Sequence, residues 1–141
     1  MQIKKCPFCS LDAERIREAS RLSLFIDDGF PVSPGHALLI PRRHVQSLFE
    51  LDEDERNDLM DLLGRARKVI QAQLHPDGFN IGINDGAAAG QTVMHLHVHL
   101  IWILHRCDRW AYGRAFDLGL PTWLRGREVV PLSPEYRLHL Q

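Results

Sequence analysis

Hydrophobic and polar positions repeat with two different periods along this chain, and the periods predict one long helix and several strands. Between 51 and 74, apolar residues recur every three or four positions, which is typical of a helix with one buried face. Asp52 and Glu55 suit the N-cap and the third position of its first turn. The apolar stripe consists of Leu59, Leu62, Leu63, Ala66, Val69, Ile70 and Leu74. We expect these side chains to pack in the core and to have no role in function.

Four shorter segments are rich in apolar residues and are bounded by glycine, proline or aspartate, which predicts strands. They cover 21–27, 36–41, 79–84 and 92–104. Loops that contain glycine, 28–35 and 85–91, separate them. We therefore expect an α+β fold in which one long helix packs on an antiparallel sheet. The length of 141 residues suits a single domain over 1–141.

Composition and charge argue against a nucleic acid or a membrane as the binding partner of this protein. The chain is 45% hydrophobic and 25% charged, as globular proteins are, and its formal net charge is -1 at pH 7. That balance argues against a broad basic surface for nucleic acid. Apolar runs are too short for a membrane span, and the polar segment 1–21 lacks a signal-peptide core. We expect a cytoplasmic protein without a membrane or nucleic-acid partner.

The nine residues MHLHVHLIW, at 94–102, place three histidines at alternate positions. On a strand, His95, His97 and His99 would share one face, and the apolar residues between them would occupy the other. One such histidine is usually a hydrogen-bonded core residue, but three in register indicate chemistry. Two hypotheses remain open: three imidazole ligands of a catalytic zinc, or one nucleophilic imidazole oriented by its neighbours.

The loop before the histidines, GAAAGQT at 86–92, favours the nucleophile. Glycines allow backbone N–H groups to approach an anion closely, and Gln91 and Thr92 add side-chain donors. Such a loop suits a phosphate group whose charge redistributes during transfer.

Taken together, these motifs resemble the bacterial type of histidine-triad (HIT) hydrolase. His-Leu-His-Val-His-Leu-Ile at 95–101 matches the family pattern, in which apolar residues alternate with three histidines. The resemblance extends in the family's order over CPFC at 6–9, FPVSPGHALLIPRRH at 30–44, NIGINDG at 80–86 and AGQTVMHLHVHLI at 89–101. It implies a HIT-like fold, and it covers the chain from about Cys6 to Ile101.

The resemblance implies a nucleotide hydrolase or transferase that acts at the α-phosphate, with a dinucleoside polyphosphate or nucleoside phosphoramidate as substrate. His97 would attack phosphorus to form a nucleotidyl-histidine intermediate, and His99 and His36 would complete the catalytic residues. Imidazole suits this role because its neutral form is nucleophilic near pH 7. The resemblance also implies the substrate-binding residues Asp28, Asn84, Gly90, Gln91 and Thr92. For Asp28 an alternative role stays open, because a loop aspartate often caps its own turn.

Zinc enters in a separate role. Cys6 and Cys9 form a Cys-x-x-Cys pair, the tight half of many structural zinc sites, and an odd count of 3 cysteines argues against a disulfide framework. The resemblance implies His44 and His95 as the remaining ligands. We therefore expect structural Zn²⁺ and no organic cofactor. The resemblance also implies a homodimer. The alternatives are two ordinary thiols, a zinc-stabilised nucleotide-binding module without turnover, and a three-histidine zinc hydrolase.

The resemblance ends after Ile101. Residues 102–141 diverge from the family and contain Trp102, Trp110 and Trp123. A lineage divergence or a shifted reading frame would each produce such a segment. Large apolar side chains are costly to leave in water, so we expect part of 102–124 to pack on the sheet or at a dimer interface.

Overall fold

An antiparallel sheet and one helix form the fold of the described residues, which are 6–31 and 35–103 of a computed structural model. The elements are strand β1, Ile16–Ala19; β2, Ser23–Asp27; β3, Ala37–Pro41; helix α1, Glu53–Leu74; β4, Gly78–Gly82; and β5, Val98–Ile103. Three short 3-10 turns lie at Ala13–Arg15, Leu48–Glu50 and Ala87–Ala89. The strand order is β1-β2-β3-β5-β4, and each neighbouring pair is antiparallel. The predicted α+β class is confirmed.

Helix α1 follows the sequence prediction closely. The Asp52 carboxylate accepts the Glu55 N–H at 2.9 Å, and the Glu55 carboxylate accepts the Asp52 N–H at 3.0 Å, so the predicted capping box is present. The helix ends at Leu74, and the next residue, His75, caps it in the left-handed conformation with φ of 47°. Its apolar stripe is buried at Leu59, Leu62, Ala66 and Ile70, with Leu63, Val69 and Leu74 packed at the margin.

The two faces of the sheet carry different apolar clusters. One face, with Phe25, Leu39 and Leu100, packs against α1. Leu96, Val98 and Trp102 belong to the same cluster, as the alternation of 94–102 predicts. The other face carries Leu24, Ile26, Leu38 and Ile40, and the N-terminal residues Phe8, Leu11 and Ile16 cover it.

The predicted strand over 92–104 is wrong in its first half, because β5 begins only at Val98. The partner strands set this limit: β3 pairs with β5 as far as Leu39–Val98, and β4 pairs with it as far as Gly82–His99. Residues 92–97 therefore have no partner strand among the described elements. His99 is therefore the one triad histidine within the strand.

The segment 92–97 is held by isolated hydrogen bonds instead of a ladder. The Leu96 N–H donates to the Val45 carbonyl at 2.6 Å, and the His95 ring donates to the Pro41 carbonyl at 2.9 Å. His95 and His97 consequently lie on an irregular approach to β5 and not on the strand itself.

Gly35 occupies a crowded turn between Leu74, at the end of α1, and Trp102, in β5. Its φ of 78° is strained for any other L-residue. A Cβ at this position would lie 3.0 Å from Leu74 Cδ1 and 3.2 Å from Trp102 Nε1. The backbone conformation therefore favours glycine here, directly before His36, and a Cβ would also need the neighbouring Leu74 and Trp102 side chains to move slightly.

The predicted packing of 102–124 concerns residues that lie outside the described part of the chain, except for Trp102 and Ile103. Trp102 is buried in the core against α1. Among the described residues, no helix combines the length and apolar composition that a membrane span requires.

Replacing Asp52 by alanine should lower the free energy of unfolding by about 1 kcal/mol, since the N-cap acceptor is lost. Urea unfolding followed by circular dichroism measures this change. Glu53→Ala is the control, because Glu53 is an exposed carboxylate in the same turn but outside the capping box. Equal losses in the two variants would contradict a specific capping contribution.

Candidate functional site

A small pocket opens on the face of the sheet opposite α1, where the N-terminal segment meets the histidines. Its volume is about 140 Å³, below the ~300–1,000 Å³ of pockets that enclose a whole ligand, so it suits one part of a larger molecule. Its walls are formed by Pro7, Phe8, Arg15, Asp28, Gly29, Phe30, Leu38, Thr92, Val93, His97 and His99.

His97 lines this pocket with its ring orientation set by the backbone. Its Nδ1 lies 2.7 Å from the carbonyl oxygen of His95, and a carbonyl can only accept a hydrogen bond. The neutral ring therefore carries its proton on Nδ1 and a lone pair on Nε2. Phe8 packs edge-on against the ring at a centroid distance of 5.3 Å. An imidazole held in one tautomer with a bare Nε2 can act as a nucleophile.

His99 and His36 form a buried pair beside His97. His36 Nε2 lies 3.0 Å from His99 Nδ1, and the rings of His97 and His99 are 5.0 Å apart. Burial lowers the pKa of His99 to about 3, and the neighbouring imidazoles act in the same direction. Burial also lowers the pKa of His36, against the opposing effect of the Asp28 carboxylate. Both rings are thus neutral at pH 7.

Asp28 both caps its own turn and contacts the histidine pair. Its Oδ1 accepts the Phe30 N–H at 2.8 Å, as expected for a loop aspartate. Its Oδ2 lies 3.3 Å from His36 Nε2, and the side chain also forms part of the pocket wall. The capping role and a ligand-facing position are therefore compatible.

Asn84 and Gln91 shape the glycine-containing loop from inside. The Asn84 amide donates to the Ala89 carbonyl at 2.6 Å. The Gln91 side chain accepts the Gly86 N–H at 2.8 Å and donates to the Gln46 carbonyl at 3.0 Å. Both side chains are buried, and the pocket wall includes neither of them.

Gly90 and Thr92 complete the predicted loop. Gly90 has a φ of 89°, so the turn needs the conformational freedom of glycine. It lies outside the pocket wall, whereas Thr92 is part of it. Of the predicted substrate-binding residues, Asp28 and Thr92 thus lie on the pocket wall, and Asn84, Gly90 and Gln91 lie outside that wall.

A second cluster joins Cys6, Cys9, His44 and His95, the four predicted metal ligands. One potential ligand atom from each lies within 4.8 Å of the others. His95 Nδ1 is 3.6 Å from both sulfur atoms, and His44 Nδ1 is 3.2 Å from Cys9 Sγ. Around a tetrahedral zinc, sulfur and nitrogen ligands are about 3.6 Å apart, so these spacings fit the ion.

The hydrogen bond of His95 also suits a metal ligand. Its Nε2 lies 2.9 Å from the Pro41 carbonyl and must donate to it, which leaves a lone pair on Nδ1 facing the two sulfurs. Metal-bound histidines usually make this kind of hydrogen bond with the other ring nitrogen. By contrast, His95, His97 and His99 do not gather as one ligand set among the described residues.

Sequence reasoning did not assign a site role to seven of the pocket residues: Pro7, Phe8, Arg15, Gly29, Phe30, Leu38 and Val93. Arg15 brings a permanent positive charge to the wall, and its Nη2 donates to the Asp27 carbonyl at 3.0 Å. Phe8 stands inside the quoted CPFC motif, and this position was its only sequence signal. Leu38 lies inside the quoted segment 30–44, where nothing singles it out, and Arg15 lies in no quoted motif, since its place at the pocket depends on long-range packing.

Two curated proteins are similar to this chain in sequence. The chain is 45% identical over 71 residues to a bis(5'-nucleosyl)-tetraphosphatase (asymmetrical) of Schizosaccharomyces pombe, covering 50% of this chain and 39% of that protein. It is 35% identical over 103 residues to an AP-4-A phosphorylase of Mycobacterium tuberculosis, covering 72% and 48%. The chain thus spans less than half the length of these two curated relatives.

A solved structure shares the fold. The crystal structure of a Zn-bound histidine triad family protein from Mycobacterium smegmatis is 35% identical, with a TM-score of 0.63, covering 71% of this chain and 76% of that one. The HIT domain family matches residues 11–102, which include β1 to β4, the helix, β5 as far as Trp102 and all three triad histidines. This chain belongs to the HIT domain family.

Proposed function

We propose that this protein is a nucleotide hydrolase or transferase that acts at an α-phosphate through a nucleotidyl intermediate on His97. The observation that carries the proposal is the 2.7 Å hydrogen bond from His97 Nδ1 to the His95 carbonyl, which leaves the Nε2 lone pair available in a ring that lines the pocket. The names of the tetraphosphatase and the phosphorylase support a dinucleoside polyphosphate as substrate.

The reaction would proceed in two displacements. The Nε2 lone pair of His97 attacks the α-phosphorus, and the bond between that phosphorus and the bridging oxygen of the leaving phosphate breaks. Water in a hydrolase, or another acceptor in a transferase, then attacks the same phosphorus and breaks the N–P bond. Water yields a nucleoside monophosphate. One difficult substitution becomes two easier ones.

The surrounding side chains suit the charges of these steps. Arg15 places a cation on the pocket wall, where it can attract a phosphate, and Thr92 offers a hydroxyl donor. His99 is neutral, so it places no positive charge beside the His97 ring. His36 lies behind His99, fully enclosed, and acts through it.

We also propose that Cys6, Cys9, His44 and His95 hold one structural Zn²⁺. Four protein ligands close the coordination sphere, which is the arrangement of a structural and not a catalytic ion. The spacings of 3.2–3.6 Å between nitrogen and sulfur support it, as does the zinc-bound Mycobacterium smegmatis relative. The ion would tie the N-terminal segment, including Phe8, to the histidines.

A zinc-stabilised nucleotide-binding module is the second candidate function. It is favoured by the burial of the loop residues Asn84 and Gln91, whose side-chain hydrogen bonds serve the loop. Absence of turnover on dinucleoside polyphosphates, nucleoside phosphoramidates and aminoacyl adenylates, with binding of AMP retained, would favour this candidate. A homodimer stays a prediction from the family resemblance, and a cytoplasmic location stays a prediction from the short apolar runs and the polar N-terminal segment.

His97→Ala should reduce turnover by several powers of ten, because the nucleophile is removed while the pocket remains. Binding of AMP should change little. Rapid acid quenching with α-³²P-labelled substrate should trap a labelled protein in wild type only. His75→Asn is the matched control: His75 is an exposed histidine at the end of α1, and asparagine tolerates its left-handed conformation. Wild-type turnover in His97→Ala would overturn the mechanism.

Cys6→Ser/Cys9→Ser should remove one zinc per chain and lower the melting temperature, because metal binding is coupled to folding. Inductively coupled plasma mass spectrometry and a thermal unfolding curve measure the two effects. Cys107→Ser changes the third cysteine and should keep the zinc. Full zinc content in the double variant would point to a ligand set without the cysteines.

Stability should fall with acid in a manner that depends on His99. The pKa of His99 is about 3 in the folded chain and 6.5 when unperturbed, so the unfolded state binds the extra proton between these values. Its contribution is complete above pH 6.5 and is lost as pH falls toward 3. Between pH 7 and pH 5 the loss should be about 2 kcal/mol.

Comparison with His99→Asn isolates this contribution. Asparagine keeps an acceptor near the position of His99 Nδ1 but does not titrate. Urea unfolding at pH 7 and pH 5 should show a smaller acid loss in the variant than in wild type. Zinc release and the other histidines affect both proteins, so equal acid losses would contradict the assignment to His99.

A further inference from the structure

Arg15 lies at the end of the pocket opposite the triad. Paired residues of four strands form one row across the sheet: Ile16 in β1, Ile26 in β2, Leu38 in β3 and His99 in β5. Neighbouring strands are about 4.8 Å apart, so β1 and β5 are separated by about 14 Å in this row. Arg15 directly precedes Ile16, and both Arg15 and His99 line the pocket. The pocket therefore extends across the sheet from the histidines to Arg15.

The guanidinium group of Arg15 has donors that the fold leaves without acceptors. Arginine offers five N–H donors in a planar fork. The Arg15 Nη2 donates to the Asp27 carbonyl at 3.0 Å, whereas Nε is buried and has no acceptor among the described residues. In the same part of the chain, no carboxylate forms an ion pair with Arg15. A buried donor without an acceptor costs free energy, so this group suits a ligand that brings acceptors of its own.

Position and wall chemistry indicate which part of a nucleotide meets Arg15. With the α-phosphorus beside His97, the ribose separates it from the base, so the base is the part that extends toward the other end. The walls are largely apolar there, with Phe8, Leu38 and Phe30. A planar base suits such walls, whereas an ionised phosphate chain would lose its hydration against them. The charge of Arg15 can still attract the anionic substrate at longer range.

We propose that Arg15 is a specificity-determining residue that selects a purine with a carbonyl oxygen at C6, as in hypoxanthine and guanine, over adenine. The C6 oxygen and N7 of such a base are adjacent acceptors, which match two donors of the arginine fork. Adenine presents an amino group, itself a donor, in place of that oxygen. The proposal rests on the proposed function for the α-phosphate at His97, and it names the base that the same site takes.

Binding of two monophosphates tests the selection without any turnover. Inosine monophosphate and AMP have the same size and charge and differ only on the C6 side of the purine. Isothermal titration calorimetry measures their affinities for the full chain with its metal retained, at pH 7. Wild type should bind inosine monophosphate about 10-fold more tightly, which is within the discrimination of a bidentate arginine contact. Equal affinities, tighter binding of AMP or no binding of either nucleotide would overturn the proposal.

Two variants assign the preference to Arg15, and a second arginine supplies the control. Arg15→Met keeps the length of the side chain but removes its N–H donors, so the preference should disappear. Arg15→Lys retains the charge without the planar fork; it should narrow the preference, and it replaces the methionine variant if that variant does not fold. Arg21→Met removes the same charge from an exposed arginine outside the pocket wall and should keep the wild-type preference.

The ratio of the two affinities decides between base selection and a phosphate contact. A phosphate contact would weaken the binding of both nucleotides equally in the folded Arg15 variants and leave their ratio as in wild type. That result would overturn the proposal. Circular dichroism shows which variants are folded.

Kinetics distinguish a failure of this proposal from a failure of the proposed function. With diinosine and diadenosine tetraphosphate, wild type should show a kcat/KM about 10-fold higher for the inosine substrate, and Arg15→Met should lose this difference. Turnover of both substrates at equal kcat/KM would overturn the base selection and leave the His97 mechanism intact. No turnover of either, together with the binding preference for inosine monophosphate, would contradict the proposed function and support the base selection.

Discussion

Burial of the triad imidazoles is the constraint on which the site depends. A neutral imidazole has one donor and one acceptor, and in a buried setting each needs a defined partner. His95 donates to the Pro41 carbonyl, His97 donates to the His95 carbonyl, and His99 shares a hydrogen bond with the His36 ring. Three identical side chains thereby acquire three different chemical properties. Backbone carbonyls and one neighbouring ring set these properties.

The same constraint links the metal cluster to the pocket. His95 turns its ring toward Cys6 and Cys9, while its carbonyl fixes the ring of His97. Phe8, which lies between the cysteines in sequence, packs against both rings. An ion at the cysteines would thus hold the backbone segment that orients the His97 ring, while all four of its ligands come from the protein.

Local sequence patterns predicted the helix, β2, β3 and β4, because a repeating apolar face or a bounded apolar run is visible within one segment. They did not predict β1, whose four residues Ile16–Ala19 are half-buried at best and contain a register shift. They also placed the start of β5 too early. The alternation of apolar residues continues through 92–97, and only the lengths of the neighbouring strands show that pairing stops at Val98.

The residues of the site, too, could be predicted from the sequence only in part. The metal cluster and the triad could be named from motifs, because each motif contains the reactive atoms. The roles of Asn84 and Gln91 could not, since their partners Ala89 and Gln46 are specified by how the loop folds. Arg15 reaches the pocket through the packing of the N-terminal segment, and nothing in its immediate neighbours signals this.

Gly35 limits how this protein can vary. A Cβ at this position would crowd Leu74, at the end of α1, and Trp102, in β5, and the left-handed backbone of Gly35 leads directly into His36. The His36 Nε2 in turn lies 3.0 Å from His99 Nδ1 and 3.3 Å from Asp28 Oδ2. A larger residue at position 35 would therefore strain the backbone next to this ring and crowd the core at the same time. Engineering of a new specificity should leave position 35 alone and work on pocket residues such as Arg15 and Phe30.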